Sequence, residues 1–235
     1  MYITKQLLGD DPKLTIHNEG EWSKTVSPFS AFNDAGVECE TGEFLYAFMG
    51  ILKPQNVLET GTHVGVGASY MGKGLQDNGF GHLDTIEYLP EIHQQAVARI
   101  QRLGLGAFVT CHLGDVAKFT PSVKYDFIFL DTEPQTRFSE FDKFYESLNE
   151  GGFIFIHDLH RHLHQIPNAE HGFAWPYGTI HESMVELVKT GKIRAFHFPT
   201  PRGLTGFYKV SKDDYQFVDF KRIAEDAWKY NDLNK

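Results

Sequence analysis

The chain has 235 residues, a formal net charge of -9 and an apolar content of 41%. This apolar content supports a sizeable core and argues against wholesale disorder. The negative charge argues against a general nucleic-acid binder, which needs clustered lysine and arginine. Cys39 and Cys111 lack the spacing of a zinc or redox pair, and the charged opening stretch MYITKQLLGDDPKLTIHNEG is not typical of a signal peptide or membrane span. We therefore expect a cytoplasmic protein with free thiols.

The regular part of the pattern begins near Thr41, after a mixed segment that predicts an irregular arm or lid over residues 1–40. Short apolar runs then alternate with amphipathic segments. The predicted helices are TGEFLYAFMGILKP, VGASYMGKGLQDN, PEIHQQAVARIQRLG and FSEFDKFYESLNEGG, and the predicted strands are NVLET, HLDTIEY, FVTCHLGD, YDFIFLD and GFIFIHD. Pro54 ends the first helix and Pro90 lies near the start of the third.

The C-terminal third predicts a helix over TIHESMVELVKTG, an antiparallel hairpin from IRAFHFP and GLTGFYKV, and an exposed helical extension over residues 211–235. Strands that alternate with helices favour a doubly wound, Rossmann-like α/β fold. We predict a mostly parallel, seven-stranded sheet with the hairpin at its C-terminal end. The domain is expected to cover residues 41–210.

The stretch NVLETGTHVGVGAS places a glycine-rich turn after the first predicted strand, where α/β folds bind nucleotide cofactors. The dinucleotide pattern G-x-G-x-x-G fails, because Tyr70 or His63 falls on a glycine position. The spacing is instead E-x-G-x-x-x-G, from Glu59, Gly61 and Gly65. An acid at this place repels a pyrophosphate and can pair with a cation, and the glycines let the backbone approach the ligand.

The chain resembles the class I S-adenosylmethionine-dependent methyltransferases over about residues 41–210. The resemblance rests on five segments in this order: LETGTHVG, DTIEY, HLGD, YDFIFLD and GGFIFIHD. The start ECETGEFLYAF is similar to the catechol O-methyltransferase-like branch. The resemblance implies that Glu87 binds the ribose hydroxyls and that Asp115 lies near the adenine. The cofactor-binding residues expected from it are Thr41, Gly42, Glu59, Gly61, Thr62, Gly65, Glu87, Asp115 and Asp131.

The catalytic edge is expected at Asp131 and Asp158, which end neighbouring strands. In the catechol-type enzymes similar positions hold a divalent metal, and carboxylate oxygens suit Mg²⁺. Two residues depart from that pattern: Leu159 stands where an amide or acid often follows, and Pro134 stands where a lysine is common. The metal site is therefore incomplete, with Glu133 or His160 as candidates for a third ligand, and a polar cleft without metal is the alternative.

Histidines crowd the stretch HDLHRHLH, and we expect His157 or His160 to act as general base. A zinc site there has no supporting H-E-x-x-H or cysteine pattern. Aromatic residues follow in HGFAWPYG, and Phe173, Trp175 and Tyr177, together with Arg202, are candidates to shape an acceptor pocket, with ordinary loop packing as the alternative.

The function predicted from these features is S-adenosylmethionine-dependent methylation, with the hydroxyl of a small molecule as acceptor and with or without Mg²⁺. One alternative is an NAD(P)-dependent oxidoreductase, although its Tyr-x-x-x-Lys pair would fall on Tyr208 and Lys212, at the end of a strand. Another is a protein that binds the cofactor without catalysis. We expect a small-molecule partner and no nucleic acid or membrane, and relatives of this type are often homodimers.

Overall fold

A computed structural model of the protein describes residues 2–9, 14–15, 29–32, 36–133, 136–158, 177–198, 200 and 202–212. The helices are α1 Tyr2–Leu8, α2 Cys39–Leu52, α3 Val66–Asn78, α4 Pro90–Arg102, α5 Arg137–Tyr145 and α6 Tyr177–Lys189. The strands are β1 Leu14–Thr15, β2 Phe29–Ser30, β3 Asn56–Thr60, β4 His82–Glu87, β5 Val109–Leu113, β6 Tyr125–Leu130, β7 Leu148–His157, β8 Ile193–Phe198 and β9 Leu204–Lys209.

A seven-stranded sheet in the order β5-β4-β3-β6-β7-β9-β8 organises the described residues. Strands β3 to β7 pair in parallel, whereas β9 is antiparallel to both β7 and β8. The predicted mostly parallel sheet with a C-terminal hairpin is thus confirmed. The chain runs outward from β3 to β5 and then returns to β6, so the strand order reverses between β3 and β6. Ligands bind at such a reversal in open α/β sheets.

Local sequence signals account for most element boundaries. Helix α2 ends at Leu52, where Lys53 takes a left-handed conformation and Pro54 prevents continuation. Pro90 is the first residue of α4, where proline is tolerated because an amide hydrogen in the first turn has no acceptor within the helix. Gly79 closes α3 in the left-handed conformation, and its amide bonds to the carbonyls of Gln76 and Leu75.

One predicted boundary is wrong. The helix expected to run through FSEFDKFYESLNEGG ends at Tyr145, and the next strand already begins at Leu148. Leu148 pairs with Tyr125, after which the register of the two strands shifts. The intervening NEGG forms an irregularity in β7, where the Asn149 amide donates to Asp126 Oδ1 at 2.8 Å. Glycine flexibility here serves a bulge within a strand and not the end of a helix.

The core lies on both faces of the sheet. Alternate residues of β3, β6 and β7 point to opposite faces, as strand geometry requires. One face packs against α2, α3 and α4 and the other against α5 and α6. Strand β6 is almost wholly buried, in agreement with its prediction as a strand covered on both sides. None of the helices in the described ranges is long and apolar enough to cross a bilayer.

The N-terminal segment contributes α1, which packs beside the turn between β3 and α3. Ile3 and Leu7 of α1 pack against Val64 and Val66, at the start of α3. Most of the other residues of the predicted arm, and the predicted helical extension beyond residue 212, lie outside the described residues.

Candidate active site

A cleft of about 870 Å³ lies at the carboxyl ends of the parallel strands. The segments after β3, β4, β5, β6 and β7 all contribute to it, as the topology leads one to expect. Of the residues predicted from sequence for the site, the cleft is lined by Gly61, Glu87, Asp115, Asp131, Glu133, Asp158 and Arg202. Strand-end residues far apart in the sequence are thus brought into one cavity.

The glycine turn after β3 passes very close to the end of β6. Gly61 has φ +80°, and a Cβ at this position would collide with the carbonyl oxygen of Asp131. Gly65, the residue before α3, has φ +81°, and a Cβ there would lie 3.3 Å from Ala96 Cα. Both glycines therefore have a left-handed backbone, and Gly61 also permits the contact between neighbouring loops.

Helix α4 and the N-terminal segment support the outer side of this turn. Arg99 is buried in α4, and its Nε donates a 2.8 Å hydrogen bond to the carbonyl of Val64. The guanidinium carbon also lies 4.2 Å from the ring centre of Phe32. Because Val64 also packs against α1, the position of the turn depends on contacts made well away from the cleft.

Glu87 lies beside the glycine turn, at the end of β4. Its two carboxylate oxygens accept hydrogen bonds from the backbone amides of His63, at 2.9 Å, and Leu89, at 3.0 Å. These amides fix the carboxylate at the cleft wall. Asp115, after β5, accepts from the amide of Ala117 at 2.9 Å, and half of its side chain is exposed.

Five other predicted cofactor residues are buried and are not among those that line the cleft: Thr41, Gly42, Glu59, Thr62 and Gly65. Glu59 accepts a 2.5 Å hydrogen bond from Thr85, which in turn contacts Thr62. Burial raises the pKa of Glu59 well above its ordinary value, and the side chain supports the turn from behind through Thr85. Gly42 packs against the ring of Tyr70. The cofactor contacts of these residues stay predictions.

Two arginines hold the predicted catalytic carboxylates. Arg137, the first residue of α5, places Nη2 3.1 Å from Asp131 Oδ1 and 3.0 Å from Asp158 Oδ2. Arg202, from the turn between β8 and β9, places Nη2 2.8 Å from Asp158 Oδ2 and Nε 2.7 Å from Oδ1. Burial by itself raises the pKa of Asp158, but the guanidinium of Arg202, joined by His157 and Arg137, outweighs it and holds this pKa well below its usual range.

His157 is enclosed between two acids. Its Nδ1 lies 2.8 Å from Asp131 Oδ1 and its Nε2 lies 2.7 Å from Glu38 Oε2. Burial by itself lowers the pKa of this imidazole, but the carboxylates of Asp131, Asp158 and Glu38 outweigh it and raise the pKa to about 10. The ring is therefore a cation with both nitrogens donating. This state does not fit the predicted role of general base, because no lone pair is free to accept a proton.

Comparisons with known proteins agree with this geometry. Residues 58–159 match the model of a family described as a methyltransferase domain. The matched range begins in β3 and ends just after Asp158, and so it contains the glycine turn, Glu87, Asp115 and both strand-end aspartates. A comparison with curated proteins gave no match.

Solved structures share the methyltransferase fold at low identity. The SAH-bound methyltransferase PaMTH1 from Podospora anserina has a TM-score of 0.63 at 18% identity, with 76% of this chain and 81% of that chain covered. The O-methyltransferase from Bacillus cereus in complex with SAH has a TM-score of 0.60 at 19% identity, covering 75% and 84%. TomG from Streptomyces achromogenes gives 0.61 at 16%, covering 76% and 83%. These similarities establish the class I methyltransferase fold.

Sequence reasoning missed two residues of this charged cluster, Glu38 and Arg137. Arg137 carried a usable signal, because a cation in the first turn of a helix opposes the helix dipole unless an acid compensates it. Glu38 gave no comparable signal, since it lies 119 positions from its partner His157. Of the other predicted residues, His160, Phe173 and Trp175 lie outside the described residues, and Tyr177 is the first residue of α6.

Proposed function

We propose that the protein transfers the methyl group of S-adenosylmethionine to a hydroxyl oxygen of a small-molecule acceptor. The observation that carries this proposal is the pairing of the glycine turn with the backbone-anchored Glu87 at the reversal of strand order. A carboxylate with both oxygens at a cleft wall suits the two neighbouring hydroxyls of a ribose, which it can accept from together. Asp115, which also lines the cleft, is proposed to lie near the adenine.

The charge of the cleft supports a sulfonium cofactor over a dinucleotide. Six acidic side chains line the cleft, against three from lysine and arginine. A pyrophosphate would be repelled by this excess of carboxylates, whereas a sulfonium cation is attracted. The SAH-bound and SAM-bound structures that share the fold agree with this choice, and two of them are named as O-methyltransferases.

Asp131 is the proposed general base. Its Oδ1 accepts from Arg137 and His157, whereas its Oδ2 accepts no hydrogen bond from the residues that the structure describes. A hydroxyl bonded to Oδ2 would be held in the cleft and would lose its proton as the methyl group arrives, a contribution of about 10²–10⁴ in rate. Holding donor and acceptor in line supplies much of the remaining barrier reduction.

Mg²⁺ does not fit this arrangement. Both candidate carboxylates are already bonded to guanidinium groups, and we therefore route no step through a metal. The predicted homodimer and cytoplasmic location stay predictions.

Methyl transfer with a labelled donor tests the proposal. The protein is incubated with S-adenosylmethionine carrying a ¹³C methyl group and a panel of phenols, sugars and polyketides, and products are examined by NMR for O-methyl carbons. Asp131→Asn keeps an oxygen for Arg137 and His157, so it is expected to lose transfer and retain S-adenosylhomocysteine binding.

Three outcomes contradict the proposal. Hydride transfer from NADH or NADPH would favour the oxidoreductase, and binding of S-adenosylhomocysteine without transfer to any acceptor would favour a non-catalytic binding protein. Label on nitrogen only would contradict the oxygen acceptor.

A further inference from the structure

The ends of β6 and β7 bring together the groups that would be needed to hold a divalent cation. Ligand atoms of Asp131, His157 and Asp158 lie within 4.8 Å of one another. A Mg²⁺ ion requires six oxygen ligands in near-octahedral geometry, with carboxylate oxygens directed at the metal. Whether the site can take an ion depends on what those oxygens already bind.

Arg137 stands between the two aspartates. A single nitrogen, Nη2, donates to Asp131 Oδ1 at 3.1 Å and to Asp158 Oδ2 at 3.0 Å, which bridges the two carboxylates. The rest of the guanidinium is also fixed, because Nε donates to the carbonyl of Thr132 at 2.7 Å and Nη1 donates to the carbonyl of His157. The side chain is 4% exposed, so the group is buried and fully directed by its acceptors.

Arg202 completes the enclosure from the opposite side. Its Nη2 donates to Asp158 Oδ2 at 2.8 Å, and its Nε lies 2.7 Å from Oδ1 as an ion pair outside hydrogen-bonding geometry. Its Nη1 donates to the carbonyl of Gly36 at 3.0 Å. The segment before α2 and the hairpin turn are therefore tied to Asp158 through this one side chain.

The charges in the cluster balance without a metal. The acids Glu38, Asp131 and Asp158 face three cationic partners, the guanidinium groups of Arg137 and Arg202 and the ring of His157. An added divalent ion would lie within a few ångströms of these cations, where charge repulsion in a buried site is strong. It would also have to displace Arg137 from its hydrogen bonds to the two carboxylates while leaving that cation buried.

We infer that Arg137 takes the place of the divalent cation, so that methyl transfer by this protein needs no metal. The inference rests on the proposed function, because it concerns the catalytic edge of the same site. Arg137 is a positioning residue: it holds Asp131 and Asp158 at a fixed separation and leaves Asp131 Oδ2 for the acceptor.

Manganese binding measured by electron paramagnetic resonance tests the inference, since Mn²⁺ shares the oxygen ligands and geometry of Mg²⁺. The full chain is titrated with Mn²⁺ together with S-adenosylhomocysteine, whose own binding is measured in the same samples. We expect no Mn²⁺ site in the unaltered protein up to about 1 mM, the weak end for cation sites in proteins. Arg137→Met should bind Mn²⁺ at least about tenfold more tightly, because two carboxylates lose their shared cation.

A matched control is Arg102→Met, which removes an exposed arginine from α4 and should leave Mn²⁺ binding unchanged. Arg202→Met removes the ion pair at Asp158 Oδ1 and leaves Oδ2 bonded to Arg137 alone, and it gives a second test if Arg137→Met does not fold. A stoichiometric Mn²⁺ site in the unaltered protein would overturn the inference, as would folded Arg137→Met and Arg202→Met variants that bind Mn²⁺ no better. Absence of S-adenosylhomocysteine binding would instead count against the proposed function alone.

Discussion

Replacing Glu38 by Gln removes one charge from a buried pair. Glu38 and His157 are at most 1% exposed, and the atoms that join them are 2.7 Å apart. Removing one partner of such a pair leaves the other charge uncompensated, which typically costs about 3–5 kcal/mol. We therefore expect Glu38→Gln to lower the free energy of unfolding by this amount, as measured by urea denaturation at neutral pH. Glu186→Gln, at an exposed position on α6, should change it by less than about 1 kcal/mol.

A double-mutant cycle isolates the interaction between the two side chains. His157→Gln removes the cation, and the variant carrying both changes should be destabilised less than the sum of the single variants, by at least about 2 kcal/mol. If the two effects add to within about 0.5 kcal/mol, the sites are independent and the proposed charge network is refuted.

The loss of unfolding free energy in Glu38→Gln should depend on pH in a definite direction. The pKa of His157 is raised from an ordinary 6.5 to about 10, so its contribution to stability is complete below 6.5 and is lost as the pH rises through 10. The destabilisation caused by Glu38→Gln should accordingly be largest near pH 6.5 and shrink toward pH 10. A difference that grows over this range would contradict the charged state of His157.

Three further changes concern the cofactor turn. Gly61→Ala forces a left-handed alanine, at about 1–2 kcal/mol, into contact with a neighbouring carbonyl; we expect a lower Tm in thermal unfolding, and an unchanged Tm would contradict the close approach. Glu87→Ala should weaken S-adenosylhomocysteine binding by roughly 1.5–3 kcal/mol in calorimetry through the lost ribose contact, and equal affinity would remove Glu87 from the site. Arg99→Met loses the bond to Val64 and should raise the Kd for S-adenosylhomocysteine severalfold, whereas Arg102→Met should not; equal values for both variants would show that Arg99 does not position the turn.

Most of the fold was predictable from the spacing of apolar residues in strands and helices and from the positions of prolines and glycines. NVLET and VGASYMGKGLQDN match their strand and helix residue by residue, because a buried strand and an amphipathic helix have distinct spacings of apolar residues. The NEGG segment was placed in the wrong element, because a pair of glycines is typical both of a helix end and of a strand bulge. Only the pairing of Leu148 with Tyr125 separates these two cases, and that contact is not local.

The candidate site was predictable in part for the same reason. Acids that follow parallel strands must meet at one edge of the sheet, so Glu87, Asp115, Asp131 and Asp158 could be named from their order alone. Their partners could not be named, because pairing depends on tertiary packing. Arg202 lies 44 positions from Asp158, and no period or motif links the two.

Isothermal titration of the protein with S-adenosylhomocysteine, and separately with NAD⁺ and NADP⁺, tests the central claim most directly. We predict one S-adenosylhomocysteine bound per chain, with affinity lost in Glu87→Ala, and no heat of binding from either dinucleotide. Tight binding of a dinucleotide, with S-adenosylhomocysteine giving no heat, would contradict the assignment of the cleft to a sulfonium cofactor.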